Sequence, residues 1–72
     1  MITTKDIKAG FRFKTPLEEF IVSHIQDELV YLIKLNDPNS KPFLWMPVED
    51  MVLTFKNNSE FQPLSLTYTE TL

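Results

Sequence analysis

The chain has 72 residues, of which 43% are hydrophobic and 12% aromatic, and its formal net charge is −3. This length accommodates one domain, residues 1–72, and the apolar content exceeds that of disordered chains. The chain has no cysteine, which excludes disulfides and thiolate metal sites and is typical of a protein of the reducing cytoplasm.

Neither a secretory signal nor a membrane-spanning helix is predicted from the sequence. The start of the chain contains no apolar segment of the kind that a signal peptide requires. The longest run that is nearly free of charge, residues 29–35, includes Lys34 and is far shorter than the ~20 residues that span a bilayer. We therefore expect a cytoplasmic protein that does not associate with membranes.

A helical turn followed by a strand is predicted at the start of the chain. The threonines at positions 3 and 4 can cap the turn, and Gly10, the only glycine of the sequence, can end it. A single glycine is expected where φ is positive or where two backbones come close. Residues 11–14 alternate apolar and basic side chains, which predicts a strand with Phe11 and Phe13 on one face.

Residues 19–25 are rich in β-branched and aromatic side chains and are predicted to form the second strand. Their apolar side chains do not keep to one face under strict alternation. A bulge near His24 would bring Phe20, Val22 and Ile25 to the same side. The sequence therefore predicts an irregular strand here.

The middle of the chain predicts two more strands and a helix. Residues 29–35 are apolar on both faces, as in a central strand, and the polar, proline-containing residues 36–42 form a loop. Residues 43–46 form a short fourth strand. A helix is predicted over residues 47–56, because Pro47 suits its first turn and the apolar residues that follow have helical spacing.

The end of the chain, residues 65–72, alternates polar and apolar side chains and is predicted to form the fifth strand, after an extended connector at residues 61–64. The whole predicts a mainly β domain with one short helix between strands 4 and 5, either a small five-stranded barrel or a strongly curled antiparallel sheet. In element order this resembles the SH3-like small barrels, in which four strands also run in meander before a helical turn and a fifth strand. The alternative is an open α+β sheet with the helix packed across one face.

Catalysis has little support in the sequence. His24 is the only histidine, and nothing in the spacing supplies it with a positioned acid–base partner. The acidic pairs lie next to each other in the chain, so on strands they point to opposite faces. A single glycine permits no glycine-rich phosphate loop, and no calcium-loop motif occurs. We expect no enzymatic activity, no cofactor and no metal.

The aromatic residues give the leading functional hypothesis. One tryptophan, two tyrosines and six phenylalanines are too many for a domain of this size to bury fully, and exposed aromatic rings mark contact surfaces. Trp45 and Met46, just before the helix, are the best candidates, together with Phe43 and Tyr31. They predict a non-catalytic protein-interaction module that acts as an accessory or regulatory factor. The alternative is that Trp45 only plugs one end of the domain.

Two further functions use the charged residues. The N-terminal basic residues could bind nucleic acid, although the negative net charge argues against it; they are Lys5, Lys8, Arg12 and Lys14. Alternating Phe11 and Phe13 could then stack on bases. An acidic inhibitor that imitates nucleic acid would instead need six carboxylates on one face: Glu18, Glu19, Asp27, Glu28, Glu49 and Asp50.

The alternating C-terminal strand could also pair with a second copy to form a homodimer.

Overall fold

The computed structural model describes residues 2–64 and shows a mainly β fold with one helix. The elements are β1 (Arg12–Lys14), β2 (Glu19–Gln26), β3 (Leu29–Lys34), β4 (Phe43–Pro47), α1 (Val48–Asn57) and β5 (Gln62–Pro63). The first four strands and the helix lie where the sequence predicts them, with differences only at their ends. The two-residue β5 lies in the predicted connector. The predicted strand at residues 65–72, and the homodimer that it would form, lie outside the described residues.

All five strands form one antiparallel sheet in the order β4-β3-β2-β1-β5. The strands β1 to β4 form a meander, and β5 returns to pair with the free side of β1, where Phe13 lies opposite Pro63. Over residues 2–64 the strands β4 and β5 are the two edges of the sheet and do not pair with each other. Within residues 2–64 the sheet is therefore open, which confirms the open-sheet alternative, and a closed barrel is wrong for this part of the chain. The helix α1 covers one face of the sheet.

The bulge predicted in the second strand is confirmed. The register of β2 against β3 shifts between Val22 and His24, and Ile25 then lies opposite Val30. Directly opposed residues of an antiparallel pair share a face, and Val30 is buried in the core. The extra residue therefore returns Ile25 to the same face as Val22, although Ile25 itself is 36% exposed near the end of the strand.

The hydrophobic core lies between one face of the sheet, called here the core face, and the helix. Its buried members are Ile7, Phe11, Phe13, Phe20, Val22, Val30, Leu32 and Met51. Phe13 is fully buried at the centre, and its ring contacts Phe20 of the next strand, with centroids 5.3 Å apart. The helix contributes Met51 and Phe55 to the same layer. The opposite side of the sheet is called the outer face.

Three residues with positive φ lie in the turns that lead into β1 and that join β2 to β3. Gly10 leads into β1 and has a φ of 94°, which is the first of the two environments predicted for it. At the β2–β3 turn, Asp27 and Glu28 have φ values of 54° and 64°. The carbonyl of Glu28 accepts a hydrogen bond from the N–H of Val48 at 2.9 Å, which joins this turn to the start of α1.

Over residues 2–64, no helix combines the length and the apolar character that crossing a membrane requires.

Candidate functional site

An open cleft of about 920 Å³ lies at one end of the sheet and is called here the aromatic cleft. It is lined by Thr15, Pro16, Leu17, Glu18, Phe20, Lys34, Phe43, Trp45, Glu60 and Phe61. In an antiparallel meander, the end of one strand lies beside the start of the next. The end of β1, the start of β2, the end of β3 and the starts of β4 and β5 therefore meet here, although they are distant in the sequence.

Three rings in mutual contact form the floor of the aromatic cleft. Phe20 is 6% exposed, and its ring centroid lies 6.2 Å from that of Phe43 and 5.8 Å from that of Trp45. The rings of Phe43 and Trp45 meet edge to face at 6.4 Å. These two residues share a face because they are two positions apart on β4, and both are half-buried. Phe20 thus connects the floor to the core, whereas Phe43 and Trp45 are accessible from the cleft.

The loop between β1 and β2 forms one wall of the cleft. The side-chain oxygen of Thr15 accepts hydrogen bonds from the backbone N–H groups of Leu17 at 3.3 Å and Glu18 at 3.2 Å. The backbone N–H of Thr15 also donates to the carbonyl of Glu18 at 2.8 Å. These bonds form a turn that a threonine at its start favours. The turn holds the Leu17 side chain in solvent, where 91% of its surface is exposed.

Three charged side chains lie at the rim. The ammonium of Lys34 lies 3.7 Å from a carboxylate oxygen of Glu18, and both side chains are partly exposed. Glu60 is exposed and, among residues 2–64, its carboxylate forms neither an ion pair nor a hydrogen bond. Among residues 2–64 these are the charged side chains that line the cleft. The exposed Lys14 lines a smaller neighbouring pocket together with Glu60.

The indole of Trp45 carries an unsatisfied polar atom. Its Nε1 is buried and has no hydrogen-bond acceptor in the described part of the chain. A buried donor without a partner is unfavourable by about 1–3 kcal/mol. Trp45 is therefore placed by the packing of its ring against Phe20 and Phe43, not by a polar contact.

The four predicted contact residues do not form one site. Phe43 and Trp45 line the aromatic cleft. Met46 packs against the core beside the helix, where its sulfur lies 3.7 Å from the Thr54 hydroxyl oxygen. Tyr31 lies on the outer face and stacks on His24, with ring centroids 4.5 Å apart and planes inclined by 7°.

Several members of the cleft were not predicted from the sequence. They are Thr15, Pro16, Leu17, Glu18, Phe20, Lys34, Glu60 and Phe61. The alternation of β2 places Phe20 on the core face, and the Thr15-Pro16 pair indicates a turn. Neither signal shows that this turn and the start of β5 meet beside Phe20, because that depends on the strand order.

The four basic residues of the nucleic-acid hypothesis lie on the N-terminal turn and on β1. Lys5, Lys8 and Lys14 are exposed, and Arg12 is half-buried. Arg12 and Lys14 lie on the outer face, because they flank the buried Phe13. The rings of Phe11 and Phe13 are buried in the core and are not available for stacking on bases.

The six carboxylates of the acidic-inhibitor hypothesis are divided between the two ends of the sheet. Glu18 and Glu19 lie at the start of β2, whereas Asp27 and Glu28 follow its other end. The strand has eight residues, which is about 25 Å. The acidic residues of the first turn of α1 lie near Glu28, because Val48 bonds to its carbonyl.

The residues described here form no cluster of three or more histidine and acidic side chains that could hold a metal ion. The arrangement at the cleft can bind apolar groups on its floor and charged groups at its rim. Comparisons of this chain with protein-family models, with curated proteins and with solved structures found no match.

Proposed function

We propose that this chain is a non-catalytic protein-interaction module, an accessory or regulatory factor that binds its partner in the aromatic cleft. The observation that carries the proposal is the cleft itself, in which half-buried Phe43 and Trp45 lie near the exposed Leu17. Accessible aromatic rings in a concave site are typical of contact surfaces, because burying them on binding removes a large apolar area from water.

Binding, and not catalysis, is favoured by the polar groups of the cleft. Its titratable lining residues are Glu18, Lys34 and Glu60, and the first two are engaged with each other. His24 lies on the outer face, stacked on Tyr31. A side chain protruding from a partner protein suits an open, largely apolar cleft of this kind.

The strand connections support a further proposal about architecture. Four strands in meander, then a helix and a fifth strand, are the order that we expect for an SH3-like small barrel. We propose that the domain is an open member of that architecture, with α1 in the position of the helical turn.

The function is tested with a displayed library of random linear peptides selected on the full chain. Leu17→Asn removes the apolar side chain from the rim without adding a charge or disturbing the core, because the side chain is 91% exposed. Leu53→Asn is the matched control, because Leu53 is 52% exposed on α1 and does not line the cleft. We expect selected peptides to bind Leu17→Asn at least about tenfold more weakly and Leu53→Asn as well as the unmodified chain. Peptides that bind both variants equally well would place the contact elsewhere.

The nucleic-acid alternative makes a different prediction. Binding through Lys5, Lys8, Arg12 and Lys14 would weaken steeply with salt, because each phosphate contact releases counterions. It would also be lost when these four residues are changed to glutamine. We expect single-stranded and double-stranded oligonucleotides to show no salt-dependent binding. The glutamine variants should retain the affinity of the chain for selected peptides.

A further inference from the structure

We propose that the partner segment carries an arginine or lysine next to a bulky apolar residue, with the basic group on Glu60 and the apolar side chain on Phe43 and Trp45. This inference rests on the proposed function of the aromatic cleft. It adds the chemistry of the segment that the cleft recognises.

The electrostatic part of the argument starts from Glu60. Glu18 and Lys34 lie 3.7 Å apart and offset each other, whereas Glu60 is exposed and unpaired among residues 2–64. Lys14 lines a smaller neighbouring pocket with Glu60 but forms no ion pair with it among residues 2–64. A basic group on the partner therefore gains an ion pair at Glu60, and an acidic or phosphorylated group at this position meets a like charge. The chain as a whole has a net charge of −3, which steers basic partners toward it.

The apolar part of the argument concerns the position of Glu60 next to Phe61. Both residues line the cleft, so an acidic and an aromatic residue contribute to the same wall. A long basic side chain suits this arrangement, because its methylene stem packs on a ring while its charged end reaches the carboxylate. Arginine suits it best, because the guanidinium also stacks on aromatic faces and can bond a carboxylate through two N–H groups.

The floor of the aromatic cleft determines which kind of residue of the partner lies next to the basic one. Phe43 and Trp45 present half-buried rings that meet edge to face. A leucine, isoleucine or aromatic side chain of the partner buries this area, and the exposed Leu17 adds to the contact from the rim. The two requirements together describe a short segment, because the floor and the Glu60 wall belong to the same cleft.

The experiment uses the peptide library in two steps. Peptides that depend on Leu17 are sequenced, and we expect arginine or lysine beside a bulky apolar residue. A synthetic peptide with that sequence is then measured by isothermal titration calorimetry against Glu60→Gln, Glu60→Lys and the control Glu49→Gln, whose side chain is exposed on α1. We expect affinity to fall about two- to fivefold for Glu60→Gln. The decrease should reach about tenfold for Glu60→Lys, which adds repulsion, and Glu49→Gln should cause no change.

A double-mutant cycle assigns the contact. Replacing the basic residue of the peptide by glutamine should weaken binding to the unmodified chain and have no further effect on Glu60→Gln. An uncharged or acidic consensus that still depends on Leu17, or additive losses in the cycle, would overturn the charge inference and leave the function of the cleft intact. A library that yields no enriched peptide, or only peptides that bind Leu17→Asn as well as the unmodified chain, would overturn both proposals.

Discussion

The rings of Phe13 and Phe55 pack edge to face, with their centroids 5.2 Å apart and their planes inclined at 81°. Phe13 lies at the centre of the sheet and is fully buried, and Phe55 lies on the last turns of α1. This contact holds the helix against the open sheet, where a barrel would instead rely on strand pairing. The ring of Phe55 also contacts Phe11 at 5.8 Å and Phe61 at 5.9 Å, so the helix, β1 and the approach to β5 share one aromatic cluster.

Replacing Phe55 by alanine should destabilise the fold strongly. The variant loses the burial of the ring and its edge-to-face contacts, which predicts a decrease of about 2–4 kcal/mol in the free energy of unfolding. A chain of this length has a total of about 4–10 kcal/mol, so the loss would be a large fraction. Urea denaturation followed by circular dichroism measures it. Leu53→Ala, at an exposed position of the same helix, should stay within about 0.5 kcal/mol of the unmodified chain. Equal effects of the two variants would contradict the packing described.

Replacing Trp45 by phenylalanine should leave stability nearly unchanged. The substitution keeps a ring on Phe20 and Phe43 and removes the buried Nε1–H that has no acceptor among residues 2–64. Relief of an unsatisfied donor offsets the loss of ring area, so we expect a change within about 1 kcal/mol.

Trp45→Ala is the comparison for this variant. It should lower both the free energy of unfolding and the affinity for selected peptides, the affinity by about 2 kcal/mol or more if the indole is a hot spot. Measuring both quantities on both variants separates folding from binding. A loss of more than about 2 kcal/mol of stability in Trp45→Phe would show that Nε1 has an acceptor after all.

Glycine in place of Glu28 should stabilise the domain. Asp27 and Glu28 occupy the β2–β3 turn with φ values of 54° and 64°, in the left-handed region that a two-residue hairpin of this type requires. A side chain there is unfavourable by about 1–2 kcal/mol, and glycine avoids this while losing more entropy on folding. We expect a net gain of about 0.5–1 kcal/mol in urea denaturation.

Glu28→Ala is the matched control for the turn. Alanine also carries a Cβ, so it removes the carboxylate without relieving the backbone, and its stability should stay close to that of the unmodified chain. If alanine stabilised the turn as much as glycine does, the effect would come from the charge and not from the conformation.

The sequence predicts the elements well, because their signals are local. The helical spacing of the apolar residues after Pro47 is sufficient to predict α1. The bulge near His24 follows from the need to keep Ile25 on the face of Phe20 and Val22, and the register of β2 confirms it. The choice between a barrel and an open sheet is not local, because it depends on whether the edge strands meet.

The aromatic cleft is predicted only in part for the same reason. Trp45 and Phe43 stand out as aromatic residues before the helix, and both line the cleft. Tyr31 lies on the outer face. The sequence does not predict this, because β3 is apolar on both sides and its pattern does not show which side faces the core. Leu17 and Glu60 reach the cleft through the strand order, which no pattern near either residue reveals.

Substitution of Gly10 gives the sharpest test of a single backbone conformation. Gly10 has a φ of 94°, and a Cβ built there would meet no atom of residues 2–64 within 4 Å, so an added methyl group would have room. L-Alanine should therefore destabilise the chain by about 1–2 kcal/mol through its backbone preference alone. The carbonyl of Val22 accepts a hydrogen bond from the N–H of Gly10 at 2.9 Å, so the backbone cannot relax without loosening β2. A chemically synthesised chain with D-alanine at this position, which prefers positive φ, should be as stable as the natural chain or more stable. If both alanines destabilised the chain equally in urea denaturation, a steric contact and not the φ angle would explain the glycine.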